Sequence, residues 1–342
     1  DRWTAARASI ADPLQCPKYA GLDLPPQSGL VPIRQDPQSG LWEFAHMQSA
    51  ADAVDPIPAV RPDGRYDLQE ATGLILVLIP GGTFHMGARR PTPEELEDAA
   101  GGEAMPPNVD PEAQTRESPP HAVTLAPFFL SKYEMTQAQW LRLTAKNPSN
   151  YRPGSRFGDR ATTLLHPVEQ VSWEDCVGER GWIGRLDLDL PTEAQWEYAG
   201  RAETTTPWWT GERIGAVAPA GNLADEHCRK TGGPASWTYE AWNDGHMIHA
   251  PIGSFAPNRF GLHDTLGNVS EWCRDVYANY ATDNIRPGDG LRTLNVPSPI
   301  RALRGGGFSE SAVFARSAAR GSNPTEARNG NIGVRPSRRV AP

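Results

Sequence analysis

The chain has 342 residues, which is enough for one large domain or two of ordinary size. Its 33 Gly, 33 Pro and 11 Trp predict a loop-rich globular domain, because Gly and Pro interrupt regular elements while Trp rings close the core. The formal net charge is −8 and no run of like charge stands out, so we expect no nucleic acid as a partner. The longest apolar run, Leu74–Ile79, is far shorter than the roughly 18 residues of a membrane helix, so we expect no membrane as a partner either.

Residues 1–66 are rich in Pro and in turn-forming dipeptides. We interpret them as an N-terminal arm or linker that docks on a main domain of residues 67–342. The apolar island Gly40–Phe44 can form a short strand on the main body, but the composition favours a linker. Asp1 is not an initiator Met and no signal-peptide pattern follows it, so we expect a cut end.

From residue 74 the sequence predicts two strands joined by a Pro-Gly-Gly turn, within Leu74–Gly87. Residues 89–120 are polar and contain several Pro, which predicts a long surface loop. Apolar and polar residues alternate over His121–Leu125, and this pattern predicts a third strand.

Three helix starts share one signature, a hydroxyl side chain three residues before a side chain that can reach back to the first turn. The pairs are Thr136 with Gln139, Ser172 with Asp175, and Thr192 with Gln195. A Trp accompanies each start, and we expect it to anchor the helix in the core.

The four cysteines are far apart and form no CxxC pair, so zinc-ribbon and thioredoxin chemistry are unsupported. Four thiols in a chain of this length do not make a disulfide scaffold, and a cytoplasmic location fits them. We expect Cys176 and Cys273 to be buried free thiols, because their sequence neighbours are apolar.

Eight short segments follow one another in a recognisable order and spacing from about residue 70 to the end. They are Ile79–Gly87, Glu117–Leu125, Tyr133–Gln137, His166–Trp173, Leu190–Ala199, Asn258–His263, Gly267–Trp272 and Arg304–Phe308. Together they resemble the formylglycine-generating-enzyme (sulfatase-modifying factor) domain family. The resemblance implies an α+β, C-type-lectin-like fold with short helices, small antiparallel sheets and much irregular backbone.

The family contains copper-dependent oxidases that hold Cu(I) with two cysteine thiolates, since soft sulfur is the ligand which this ion prefers. By the resemblance, the first thiol position falls at Glu310 and the second at Ala312 or Ala315. No Cys lies in this part of the chain. We therefore expect no copper and no oxidase activity of this type.

Iron-dependent sulfoxide synthases are a second branch of the family, and they supply the alternative prediction of a metal-dependent (iron) oxidoreductase. That branch holds iron with histidines that a separate helical domain partly supplies, whereas no helical-bundle pattern precedes residue 70 here. His121, His166, His246, His249 and His263 are each isolated in the sequence. An iron site assembled from distant histidines stays open at this point.

The resemblance also implies two structural calcium sites, which require hard oxygen ligands. The first would use the side chains of Asn222 and Asp244 with the carbonyls of Leu223 and His246, and the second would use the side chains of Asp264 and Glu271 with the carbonyls of Gly267 and Val269. Asp264 stands where Asn is common, and its added negative charge favours a cation. The alternative is that these residues only cap and turn the backbone.

The segment Ala315–Arg335 resembles the ends of variable proteins that diversity-generating retroelements diversify. In those proteins framework residues alternate with diversified ones, which gather in a pocket where the oxidases keep their active site. The framework positions here are Arg316, Ser317, Ala318, Arg320, Arg328, Ile332, Gly333 and Arg335. The ligand-binding positions would be Ser270, Gly307, Phe308, Ser309, Glu310, Ser311, Val313, Phe314, Ala319, Gly321, Ser322 and Asn323.

Two of these positions, Ser270 and Gly307, also depart from the oxidase pattern, which has Trp and Ser there. We predict a non-catalytic, calcium-stabilised domain that binds an unknown protein or small-molecule ligand. The same framework occurs in undiversified relatives, so a plain binding domain is the other form of this prediction. The segments Gly21–Pro32 and Asp36–His46 resemble those that join this domain to bacterial Ser/Thr kinases, which implies a bacterial protein fused to an upstream signalling module.

Overall fold

The computed structural model describes residues 1–157, 160–177, 181–280, 284–294 and 298–342, in which short elements are joined by long irregular segments. The α-helices are α1 (Arg2–Ala11), α2 (Pro93–Ala100), α3 (Gln137–Thr144), α4 (Trp173–Val177), α5 (Glu193–Arg201) and α6 (Glu226–Lys230). The strands are β1 (Leu30–Gln35), β2 (Trp42–His46), β3 (Ile75–Ile79), β4 (Gly82–Met86), β5 (His121–Leu125), β6 (Phe128–Ser131), β7 (Arg156–Phe157), β8 (Arg160–Ala161), β9 (Ser270–Val276), β10 (Asn284–Ile285), β11 (Arg292–Thr293), β12 (Ile300–Arg304), β13 (Gly321–Pro324), β14 (Ile332–Gly333) and β15 (Ser337–Arg339). Among the helices of these ranges, none combines the length and apolar character that a membrane span requires. The mixture confirms the predicted α+β class.

The larger sheet has the strand order β1-β2-β3-β6-β15, and every neighbouring pair is antiparallel. Every residue of β3 is buried, which explains its unbroken apolar sequence, since a strand covered on both faces has no polar side. Ala6 and Ile10 of α1 are fully buried and belong to the same core as Phe44 of β2. α1 therefore packs against the larger sheet through this core.

The N-terminal segment contributes two strands to that sheet. Glu43, Phe44 and Ala45 of β2 pair with β3, and β1 pairs with β2. Lys132 is bound to Glu43 by a buried ion pair of 2.7 Å between Nζ and Oε1. The preference for a linker was therefore wrong for residues 30–46. Pro37 and Gly40 lie in the turn between the two strands, while Pro32 lies within β1, an edge strand, where proline is tolerated. A domain boundary at residue 66 stays a prediction.

The second sheet has the order β13-β12-β9-β14. β12 is antiparallel to both β13 and β9, whereas β14 is parallel to β9. Trp272 of β9 is fully buried, and its indole N–H donates to the carbonyl of Val171 at 2.9 Å. This sheet brings the C-terminal segment onto β9 and so forms the platform for the candidate site.

The strands predicted within Leu74–Gly87 are present as β3 and β4, and the strand at His121–Leu125 is present as β5. β3 and β4 do not pair with each other, since β4 pairs with β5 in a separate two-stranded sheet. Gly81 lies at the crossing point, where an added Cβ would come within 2.7 Å of the Leu125 carbonyl oxygen. The Pro-Gly-Gly turn therefore moves the chain from one sheet to another.

All three predicted helix starts are confirmed, at α3, α4 and α5. In α5, for example, the hydroxyl of Thr192 accepts a hydrogen bond from the Gln195 amide at 3.0 Å. The prediction of an uninterrupted loop over residues 89–120 was wrong at α2, which Thr92 and Glu95 begin with the same reciprocal capping. No residue of α2 is buried, so the helix lies on the surface, as predicted for this segment.

Candidate functional site

A cleft with a volume of about 490 Å³ lies over the second sheet. All four strands line it, through Ser270 of β9, Leu303 of β12, Gly321–Asn323 of β13 and Ile332 of β14. The other lining residues are Arg116, Arg304, Gly305, Gly306, Glu310, Phe314, Ala319, Arg320, Asn329 and Asn331. The site is therefore built where the C-terminal segment folds onto β9.

The structure places part of the predicted ligand-binding set on this cleft. The lining members are Ser270, Glu310, Phe314, Ala319, Gly321, Ser322 and Asn323, and the members outside the lining are Gly307, Phe308, Ser309, Ser311 and Val313. Two of the latter hold lining residues in place, since the Gly307 amide donates to Glu310 Oε2 at 3.0 Å and the Ser309 hydroxyl accepts from Asn331 Nδ2 at 3.1 Å. Phe308 is buried behind the cleft.

Arg116, Asn329 and Asn331 line the cleft although the sequence did not single them out. Arg116 comes from a loop about two hundred positions away along the chain, and its backbone carbonyl accepts a hydrogen bond from Arg320 at 2.8 Å. Such a contact leaves no local signal. The two asparagines lie inside the segment that resembles the variable proteins, so their position next to the framework residue Ile332 was the only available signal.

Beneath the cleft, two fully buried arginines converge on one carboxylate. Arg304 Nε lies 2.9 Å from Glu193 Oε1, and Arg320 bonds both oxygens of Glu193 at 2.6 and 2.7 Å. Burial would raise the pKa of Glu193, but the charges of Arg320 and Arg304 outweigh burial and lower the pKa to about 2. Glu193 is therefore a permanent anion that joins α5 to β12 and to the chain entering β13.

Two further framework arginines are held in the same way. Arg316 is fully buried and bonds Glu117 and Asp110, with N–O distances of 2.7 to 2.9 Å. Arg335 is also fully buried and bonds Glu271 at 2.8 to 3.0 Å. Bidentate guanidinium–carboxylate pairs fix both distance and orientation, so these arginines pin the backbone of the C-terminal segment.

The cysteine positions of the oxidases hold no sulfur here. Glu310 lines the cleft, and burial raises the pKa of its carboxyl. Ala312 and Ala315 are fully buried in an apolar cluster with Trp208. All four cysteines are buried and free, which confirms the expectation for Cys176 and Cys273, and none lines the cleft. The donors present at the cleft do not fit Cu(I).

The first predicted calcium set comes together in the fold. Asp244 accepts hydrogen bonds from the Leu223 amide at 3.2 Å and from the His246 amide at 2.8 Å. Asn222 Nδ2 donates to the Ile248 carbonyl at 2.9 Å, while Asn222 Oδ1 is buried without any hydrogen-bond partner. An oxygen that has lost water and gained no donor is what a cation would satisfy.

A carboxylate that the sequence did not single out lies beside this set. Asp225 is fully buried and accepts a hydrogen bond from the Asp244 amide at 2.5 Å. Burial raises the pKa of Asp244 to about 7, and the negative charge of Asp225 acts in the same direction. Two neighbouring carboxylates with an unpartnered amide oxygen fit Ca²⁺.

The second predicted set fits calcium less well. Both oxygens of Glu271 are taken, by Arg335 and by the Trp196 indole N–H at 2.6 Å. Asp264 accepts from the Gly253 amide through Oδ2 at 2.7 Å, and its Oδ1 has no hydrogen-bond partner. Glu271 would have to exchange Arg335 for the ion, so this second site remains a prediction without the support that the first one has.

Two histidines that are isolated in the sequence are neighbours in the fold. The ring centroids of His166 and His249 are 5.3 Å apart, and His249 Nε2 lies 3.9 Å from Glu169 Oε1. His121 and His263 lie elsewhere, against Tyr280 and Tyr133. In the part of the chain that the structure describes, no three His, Cys, Asp or Glu side chains already surround one point as metal ligands.

A family model described as the sulfatase-modifying factor enzyme 1-like domain matches residues 66–340. The formylglycine-generating enzyme of Streptomyces coelicolor is 30% identical over 341 aligned residues, which cover 84% of this chain and 94% of the relative. This agreement extends over most of both proteins.

Two solved structures share the fold. PvdO from Pseudomonas aeruginosa has a TM-score of 0.59 at 24% identity, over 80% of this chain and 97% of its own. Treponema denticola variable protein 1 has a TM-score of 0.56 at 20% identity, over 80% of this chain and 98% of its own. These likenesses confirm the predicted fold class, and the chain belongs to the sulfatase-modifying factor enzyme 1-like domain family.

Proposed function

We propose that this protein is a non-catalytic recognition domain which binds a protein or small-molecule ligand in the cleft over the second sheet. The observation that carries the proposal is an alternation along the C-terminal segment. Arg316 and Arg335 are held in buried ion pairs outside the cleft lining, while Phe314, Ala319 and the β13 residues face the cleft. The residues in the ion pairs fix the backbone, while the residues that face the cleft are available to contact a ligand and to determine which ligand binds.

The chemistry of the cleft suits selective binding. Phe314 is 44% exposed, which is unusual for a large apolar side chain in this protein and supplies one aromatic anchor. Asn323, Asn329 and Asn331 line the same cleft and supply amide donors and acceptors. An aromatic group among short polar side chains is typical of adaptable binding surfaces.

The residues at the oxidase positions support a role without that chemistry. The Streptomyces relative is named a formylglycine-generating enzyme, but Glu310 and two buried alanines stand where the thiolates would be. The second thiol position is either Ala312 or Ala315, and neither a carboxylate nor a methyl group can bind Cu(I) as thiolate does. We therefore do not carry the named activity of the relative over to this chain.

The ligand prediction is tested with the purified full chain immobilised beside two variants. Phe314→Ala removes the exposed anchor, and Leu14→Ala is the matched control, since Leu14 is 93% exposed and does not line the cleft. We expect the partners or small molecules retained by the wild-type protein to be retained by Leu14→Ala and reduced about ten-fold or more by Phe314→Ala. Retention that is equal for all three proteins would place binding elsewhere.

A catalytic role is tested separately, with a cysteine-containing peptide, Cu(I) and oxygen. We expect no formylglycine product, and turnover above that of a Glu310→Ala variant would contradict the proposal.

Whether the C-terminal segment is diversified is tested in the genome. A near-repeat of the DNA that encodes residues 308–335, differing mainly at adenines beside a reverse transcriptase gene, would support it, and the absence of such a repeat would leave a plain binding domain.

We also propose that Ca²⁺ binds the first set, at Asn222 and Asp244. Elemental analysis of dialysed protein should find about one calcium per chain, and Asp244→Asn should lose it because the ion loses a charged ligand. Asp264→Asn is the control from the second set and should keep that calcium. No calcium in the wild-type protein would refute the proposal, and a second equivalent that Asp264→Asn removes would show that Glu271 also exchanges partners.

A further inference from the structure

We propose that His166, Glu169 and His249 bind a divalent transition-metal ion of the zinc class, at a buried position directly behind the cleft. The proposal does not depend on the recognition function or on the calcium set. It rests on three buried atoms of His249 and Glu169 that lack a hydrogen-bond partner among the described residues, and on the His166 ring that faces them.

His249 and Glu169 carry the strongest observation. Both are fully buried, and His249 has no hydrogen-bond partner at either ring nitrogen. Oε2 of Glu169 is buried and unpartnered as well. Leaving a buried polar group unsatisfied costs about 1 to 3 kcal/mol, and more for a charged group, so three such atoms in one place point to a missing partner.

His166 contributes the third side chain of the group. Its Nδ1 accepts a hydrogen bond from the Thr163 amide at 3.0 Å, and the Thr163 carbonyl oxygen lies 3.1 Å from the same nitrogen. Metal binding at Nε2 requires the ring proton on Nδ1, which would then donate to this carbonyl in place of the bond that Nδ1 now accepts. The His166 ring faces that of His249 at an angle of 61°.

Glu169 is held from the other side. The Tyr151 amide donates to Glu169 Oε1 at 2.8 Å and leaves Oε2 available. Around the group, the rings of Tyr151 and Phe308 lie edge-on to His249, with centroids 5.2 and 5.8 Å away. An apolar shell of this kind excludes water and strengthens coordination by the few polar groups inside it.

One pair of these groups, His249 and Glu169, lies near a coordination distance without having reached it. Two ligands of a tetrahedral zinc ion, each at about 2.1 Å, lie about 3.4 Å apart. The His249 Nε2 to Glu169 Oε1 distance is 3.9 Å, so binding requires a shift of about half an ångström in one side chain. Rotation of the Glu169 carboxylate can supply the shift, because nothing holds its second oxygen.

The chemistry of the ligands selects the class of metal. Two imidazoles and one carboxylate suit Zn²⁺ and its neighbours in the first transition row, whereas Ca²⁺ prefers ligands that are all oxygen. Three protein ligands leave a fourth position open. The site adjoins the cleft through Gly330, whose added Cβ would lie 3.7 Å from Glu169 Oε2, while Asn329 and Asn331 on either side line the cleft.

The test uses the dialysed full chain with Ca²⁺ present in excess, so that the calcium set is not counted. Zn²⁺ is titrated in competition with a chromophoric chelator, and Co²⁺ is added separately as a visible spectroscopic probe. We expect about one Zn²⁺ per chain and a Co²⁺ spectrum of nitrogen and oxygen ligation. Zn²⁺ affinity should fall at least ten-fold in His249→Phe, whose ring suits the aromatic surroundings, and in Glu169→Gln, which can still accept from Tyr151.

The control is His85→Gln, because His85 is an exposed histidine and reports non-specific surface binding. It should bind Zn²⁺ like the wild-type protein. If neither ion binds, or if His249→Phe and Glu169→Gln bind Zn²⁺ as tightly as the wild-type protein, the proposal is overturned and the cluster holds only internal water. Should His249→Phe fail to fold, Glu169→Gln and the Co²⁺ spectrum of the wild-type protein decide.

Discussion

His46 lies at the end of β2 with both ring nitrogens bonded inside the protein, at 3.0 Å to the Ser49 hydroxyl and 3.0 Å to the Leu186 carbonyl. Its side chain is fully buried, and burial lowers its pKa from 6.5 to about 4. The folded protein therefore keeps His46 neutral at pH values where the unfolded chain protonates it. This difference makes His46 a source of stability above pH 6.5 that is lost as the pH falls towards 4.

Replacement of His46 by Gln should remove this share of the pH dependence. Between pH 7 and pH 5 the wild-type free energy of unfolding should fall by about 2 kcal/mol more than that of His46→Gln, since each pKa unit corresponds to about 1.4 kcal/mol. Urea unfolding of both proteins at the two pH values measures the difference. Parallel pH profiles for the two proteins would mean that His46 is protonated in the folded state.

At this scale the sequence predicts the framework residues better than their partners. The framework arginines at 316, 320 and 335 could be placed from the family resemblance. Their carboxylate partners could not, because Glu117, Glu193 and Glu271 approach from segments far away in the chain. The contact of His249 with residues 166 and 169 could not be predicted for the same reason, because the sequence near residue 249 contains no indication of these distant partners.

Two helices carry the same capping box in opposite surroundings. Thr192 begins α5, almost all of whose residues are buried, and its hydroxyl also bonds the Asp289 carbonyl at 2.6 Å. Thr92 begins α2, none of whose residues is buried. The two caps satisfy the same backbone groups, so they separate the effect of the cap from the effect of burial.

We expect Thr192→Ala to lower the free energy of unfolding by about 1 to 2 kcal/mol and Thr92→Ala to leave it within about 0.5 kcal/mol. The reason is that α2 can fray without opening the core, whereas α5 holds Glu193 under the second sheet. Urea unfolding at pH 7 compares both variants with the wild-type protein. Equal losses would show that α2 unfolds together with the core.

Elements with a local signal were predictable and their partners were not. A hydroxyl three residues before a side chain that reaches back is a contact within one turn, and all three predicted starts are helices. The pairing of β3 with β2 and β6 depends on residues as far away as Ser131, which pairs with Leu76, so the Pro-Gly-Gly turn gave no indication that β3 and β4 join different sheets. The strands near residue 40 were not predicted for a related reason, because the residues around them have the composition of a linker.

The N-terminal segment supplies two strands of the larger sheet, although the family model begins only at residue 66. Removal of residues 1–66 would uncover the edge of β3 and leave Lys132, which is 5% exposed, without the carboxylate of Glu43. A buried charge that loses its partner costs about 3 to 5 kcal/mol, and the lost core of β2 adds to it.

We therefore expect residues 67–342 alone to lack a cooperative thermal transition and a native near-ultraviolet circular dichroism spectrum. Glu43→Gln in the full chain isolates the contribution of the Lys132–Glu43 ion pair to stability. This variant should melt at a lower temperature than the wild-type protein. A truncated protein that melts like the full chain would instead establish residue 66 as a true domain boundary.

The last strand of the larger sheet has a consequence for the order in which the protein can assemble. β15 pairs with β6 and covers its outer edge. Arg338 of β15 donates from Nη1 to the Ser28 carbonyl at 2.7 Å, and Gln27 and Ala341 form two further hydrogen bonds with each other. On the ribosome, β6 is made some two hundred residues before the strand that covers it. The backbone donors and acceptors of this edge of β6 therefore stay uncovered while those residues are made, which exposes β6 to wrong pairing in the nascent chain.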